Sequence, residues 1–122
     1  MKRNASLASA AMALAAMLSI AGCNSYWVDA TIENQTGQPV RELEVDYPSA
    51  SFGTNALAPG AVMHYRFQIQ GTGPLKVEYS SAEGKIVRAQ GLALSEHQRG
   101  QVTIRLLPLG KVDFLPKMQP PS

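Results

Sequence analysis

From residue 26 onward, apolar and polar residues alternate with a period of two, in short runs broken by Gly, Pro and Asn. Successive strand side chains point to opposite faces, so this pattern predicts strands with one face in a core and one in water. The stretch "YWVDATIEN" sets Val28, Ala30 and Ile32 against Asp29, Thr31 and Glu33. "NQTGQP" follows as a turn, with Gly37 free to take positive φ and Pro39 restricting the residue before it. In "VRELEVDY", Leu43, Val45 and Tyr47 share one face and Glu42, Glu44 and Asp46 the other. Val40 has the wrong parity, which requires either a bulge near Arg41 or Glu42 or a place for Val40 in the turn.

Residues 48 to 58 read as a loop with a short strand around Phe52, closed by a turn at "LAPG". "AVMHYRFQIQ" is the clearest strand, with Ala61, Met63, Tyr65, Phe67 and Ile69 on one face. "GTGP" ends it, and "LKVEYS" turns Leu75, Val77 and Tyr79 inward, so a hairpin with its predecessor is the simplest pairing. "KIVRAQ" reads as a charged edge strand, and "LALSEHQRG" fits either a loop or one helical turn. Val102, Ile104 and Leu106, then Val112 and Phe114, complete the series. Seven or eight short strands predict an all-β domain over residues 26–116. We expect a small antiparallel β-sandwich, immunoglobulin-like in layout, rather than a small barrel. Residues 117–122 are expected to form a disordered tail.

The first 25 residues follow a different rule. Lys2 and Arg3 precede an apolar stretch from about Leu7 to Ile20 and the small residues Ala21 and Gly22. This is the layout of a cleavable signal helix over residues 1–22, shorter than the roughly 20 apolar residues that span a bilayer comfortably. Ile20-Ala21-Gly22-Cys23 resembles the lipobox of bacterial lipoproteins. The resemblance implies cleavage between Gly22 and Cys23, a diacylglycerol on the Cys23 sulfur, and an acyl chain of the palmitate type on the new amino group. Two or more chains anchor stably where one does not. Asn24, where inner-membrane lipoproteins tend to carry Asp, implies the outer membrane, facing the periplasm, with export to the cell surface as an alternative. Residues 23–25 then form the whole tether, which leaves Tyr26 and Trp27 either at the lipid headgroups or packed over the end of the sandwich.

Processing changes the charge balance. The chain has 11 basic and 9 acidic residues, and loss of Lys2 and Arg3 leaves nine of each. A neutral domain argues against nucleic acid as a partner. With its single cysteine committed to lipid, the domain has no disulfide and must be held by packing.

Candidate chemistry is sparse. Met63 and His64 are residue types that ligate copper, but adjacent strand residues face opposite ways, and nothing links His97 to His64, so no metal site is expected. Glu42, Glu44 and Asp46 on one face have the separation of hydrolytic or calcium-binding carboxylates. A solvated face, paired with Arg66 or other cations across strands, explains them better. "SEH" at Ser95 to His97 lacks the rest of a catalytic set, "GTGP" lacks the helix of a phosphate loop, and Asn34-Gln35-Thr36 matches a glycosylation sequon of little weight in a bacterial protein. The expectation is a non-catalytic, lipid-anchored protein without a cofactor beyond its covalent lipid. It would act by contacting another envelope protein through an edge strand or the 48–58 loop, where Phe52 is apolar among polar neighbours. A small-ligand or metal-binding envelope carrier is the alternative.

Overall fold

The computed structural model describes residues 26–119. The signal segment, Cys23 and the last three residues lie outside the described residues. Eight strands run in chain order as β1 (Trp27–Asn34), β2 (Val40–Tyr47), β3 (Ala50–Leu57), β4 (Val62–Gln68), β5 (Gly73–Ser80), β6 (Ile86–Leu94), β7 (Arg99–Leu107) and β8 (Lys111–Gln119). They form two four-stranded sheets, one ordered β4-β1-β7-β8 and the other β3-β2-β5-β6. The molecule is a β-sandwich.

The alternating residues supply its core. Val28, Ala30 and Ile32 of β1 and Val102, Ile104 and Leu106 of β7 face Val45 of β2 and Leu75, Val77 and Tyr79 of β5, all buried. β1 and β7 pair in parallel, from Val28–Gly100 to Asn34–Leu106. A parallel pair cannot be closed by a short turn, so its partners lie far apart in sequence and local patterning does not reveal it.

The parity problem at Val40 is resolved by a bulge. The β2–β5 register shifts by one between Arg41–Ser80 and Glu44–Glu78, and Glu42 takes φ +50°. Val40 and Leu43 are thereby both buried. Extra twist and a left-handed residue are what a bulge costs, and burial of two large side chains offsets it.

Three expectations need correction. β4 and β5 do not form a hairpin: β4 pairs with β1, and β5 with β2 and β6. The "GTGP" link instead crosses between the sheets, which lie about 10 Å apart, and buried Ile69 packs into the interior on the way. Residues 50–57 are a full edge strand rather than a loop, and Phe52 is buried, 7% exposed. Lys117 to Gln119 belong to β8, which tolerates Pro116 because it is an edge strand. β6 is the other edge of its sheet, as its charge suggested, and it runs on to Leu94; the short turn Ser95–Gln98 replaces the ambiguous segment.

The two open sides of the sandwich are finished differently. On the β6/β8 side, a Cβ on Gly91 would overlap the ring of Phe114, so the glycine is what lets Phe114 seal the gap. On the β3/β4 side the rings of Phe52 and Tyr65 stack at 4.1 Å, and those of Tyr47 and Phe67 at 4.2 Å. Gly91→Ala is expected to lower stability by about 1–3 kcal/mol through overpacking, read as an earlier midpoint in urea unfolding; an unchanged midpoint would show that Phe114 does not seal that side.

Candidate functional site

All four connections β1–β2, β3–β4, β5–β6 and β7–β8 gather at one end of the sandwich, and Tyr26 lies at the other. This far end holds a cleft of about 670 Å³. Val40, Tyr79 and Val87 line its apolar part, and the turns carrying Gln38, Lys85 and Leu109 form its rim. Burial raises the Tyr79 phenol above its ordinary value of 10.0, which keeps the hydroxyl a neutral hydrogen-bond donor at physiological pH.

One of the turns that wall the cleft is held by a single side chain. Asn34 is the buried polar residue among the described residues, at 0% exposure. Its amide donates to the carbonyls of Gln38 at 2.8 Å and Leu57 at 2.9 Å. Its Oδ1 accepts from the Thr36 backbone N–H at 3.1 Å and from the Thr36 hydroxyl at 2.7 Å. The Asn34-Gln35-Thr36 triplet is therefore an internal turn lock, with the amide nitrogen that glycosylation needs already buried and committed.

Leu109, at the tip of the Pro108–Gly110 turn, is the opposite case. It is 94% exposed and adopts φ 66°, ψ 28°. A branched apolar residue in the left-handed region is strained by about 1–2 kcal/mol, and full exposure gives back no burial. Neither strain nor exposure helps the fold, which singles the tip out as a candidate site.

The other sequence candidates are dispersed. Met63 faces inward and His64 outward, where His64 Nδ1 and the Thr31 hydroxyl lie 3.2 Å apart. His97 is elsewhere, its ring stacked on Tyr26 at 4.6 Å. Among the described residues, no three of His, Cys, Asp and Glu converge. Glu42 sits in the bulge, leaving Glu44 and Asp46 as the acidic pair; Asp46, by hydrogen bonding and by charge, holds Glu44 above its ordinary 4.5. The expected pairing of this face with Arg66 is not found: Arg66 lies in the other sheet and bridges Asp29 at 3.4 Å. Trp27 is 41% exposed on the outer face of its sheet, with the Arg66 guanidinium 5.1 Å from the ring centre. Phe52 belongs to the aromatic stack rather than to a loop surface. Ser95 to Gln98 is a turn tied by its own Gln98 side chain, which accepts from the Ser95 N–H at 2.7 Å.

Sequence reasoning missed the cleft and Leu109. The signal was a Pro-Leu-Gly tripeptide between two alternating runs, in which the central apolar residue could only be a turn tip.

No family model matches the chain, and no curated protein matches it in sequence. Among solved structures, the NMR structure of a protein from Eubacterium rectale is similar in fold, with a TM-score of 0.54 and 15% identity over 75% of this chain and 89% of that one. At that identity the likeness concerns the fold alone.

Leu109→Gly should relieve the strained backbone and leave the fold intact, raising stability by up to about 1 kcal/mol. Thermal or urea unfolding measures it. A loss of stability would mean that Leu109 packs and is not free for contact.

Proposed function

We propose that this protein is a lipid-anchored envelope lipoprotein that acts without catalysis, by presenting the far end of its sandwich to another envelope protein. The observation that carries this reading is the polarity of the fold. Only Asn24, Ser25 and Tyr26 separate Cys23 from β1, while the cleft and the strained, exposed Leu109 lie at the opposite end. A short tether at one end and a prominent apolar tip at the other suit a domain that stands on a membrane and reaches away from it. Half-exposed Trp27 and the Arg66 guanidinium beside it are compatible with the headgroup region at the anchored end.

A second reading, a small-ligand carrier, draws on the cleft of about 670 Å³, which falls within the range of ligand pockets, and on Tyr79 as a buried donor at its wall.

A photo-crosslinking residue at position 109, introduced in intact cells with and without Cys23→Ala, tests the main reading. The expected result is one discrete adduct in the membrane fraction, lost when Cys23→Ala blocks lipidation and cleavage. Normal processing and membrane retention of the Cys23→Ala protein would contradict the anchor. Absence of an adduct at 109 would contradict the contact and favour the carrier.

A further inference from the structure

Each sheet has two edge strands, and three of the four edges carry ionisable side chains that discourage pairing with another chain. β4 has His64 and Arg66, β6 has Arg88, and β8 has Lys111, Asp113 and Lys117 as well as Pro116. β3, "ASFGTNAL", has none, and it has no proline either. It is eight residues of neutral edge, with no strand partner on its outer side.

What surrounds that edge has a definite chemistry on each face. On the inner side, the Phe52–Tyr65 stack closes the seam between the sheets, and Tyr65 remains 39% exposed. A strand laid along β3 would set every second side chain against this aromatic surface. On the outer side, Asp46 is paired across from Ser51 and Glu44 across from Gly53. Ser51 is short and Gly53 has no side chain, so both carboxylates are reachable from beyond the edge. Neither is in a salt bridge among the described residues, whereas nearby Glu78 is held by Arg88 at 3.4 Å. Asp46 raises Glu44 first by a hydrogen bond between the two carboxyls and then by its charge, and an incoming cation would relieve the second of these.

We propose that the free edge of β3 is a strand-addition site for an extended segment of another protein in which apolar or aromatic residues alternate with lysine or arginine. Backbone hydrogen bonds supply affinity in this mode and alternate side chains supply specificity. A second copy of this chain fits less well. Its β3 would bring no cation to Glu44 and Asp46, and the β2 beside it would bring a second acidic pair instead. The proposal is independent of the lipid anchor and of the contact at Leu109.

Two blocked octapeptides, one alternating valine with lysine and one alternating valine with glutamate, test it against the full chain. The valine-lysine peptide should bind at least about tenfold more tightly than the valine-glutamate peptide, and its binding should slow hydrogen exchange within Ala50–Leu57. Ser51→Lys, which sets a cation beside Asp46 without touching the core, should weaken the valine-lysine peptide about tenfold. The isosteric pair Glu44→Gln and Asp46→Asn should erase the difference between the peptides and so guards against a folding defect in the first variant. No binding, equal binding of both peptides, or protection confined to other strands would overturn the proposal. Self-association of the free chain through β3, seen by sedimentation with the same exchange readout, would overturn it in favour of a dimer.

Discussion

One buried amide holds the far end of this sandwich together. Asn34 ends β1, the strand paired to both β4 and β7, and its side chain binds the β1–β2 turn through Gln38 and Thr36 and the end of β3 through Leu57. Its backbone extends the same tie, donating to Ala61 at 3.0 Å and accepting from Gly60 at 2.8 Å. Chain that crosses between sheets leaves backbone groups without ladder partners, and burying such groups unpaired costs about 1–3 kcal/mol each. A single asparagine offers two donors and an acceptor in one rigid plane, which meets those needs without importing a charge.

From that tie follows a domain with two unlike ends and two unlike sides. The far end is fixed well enough to hold an open cleft and to support Leu109 in a strained conformation. The near end carries Tyr26, the His97 turn and the close of β8. One side is sealed by Phe114 over Gly91, and the other is filled by four aromatic rings and bounded by the uncharged β3. The structure thus concentrates its unusual features at the cleft tip and along β3, away from the polar outer faces where Asp29–Arg66 and Glu78–Arg88 are ordinary exposed pairs of small energetic worth.

Much of this was legible in the amino-acid sequence because a half-buried strand writes its orientation as a period of two. The inward sets Val28, Ala30, Ile32; Leu75, Val77, Tyr79; and Val102, Ile104, Leu106 were all readable that way, and the wrong parity of Val40 left a bulge or a turn, of which the structure has the bulge. Period two identifies a face but not a partner, so the parallel β1–β7 pair and the crossover after β4 were hidden. Phe52 was misjudged because its neighbours Ser51, Gly53, Thr54 and Asn55 are small or polar, as an edge strand permits, and the window looked like a loop. Pro116 hid the end of β8 in the same way. The cleft was illegible since its walls come from three turns distant in sequence, and Asn34 looked like a sequon because its meaning depends on Leu57, far along the chain.

The claim that Asn34 ties the far end is tested most directly by native-state hydrogen exchange on Asn34→Asp. The substitution keeps size and the acceptor toward Thr36 but removes both donations to Gln38 and Leu57. The predicted result is a loss of about 1–3 kcal/mol or more, with the Thr36, Gln38 and Gly60 amides exchanging faster while the centres of β5 and β7 are the last to open. Exchange and stability equal to those of the unaltered protein would contradict the account.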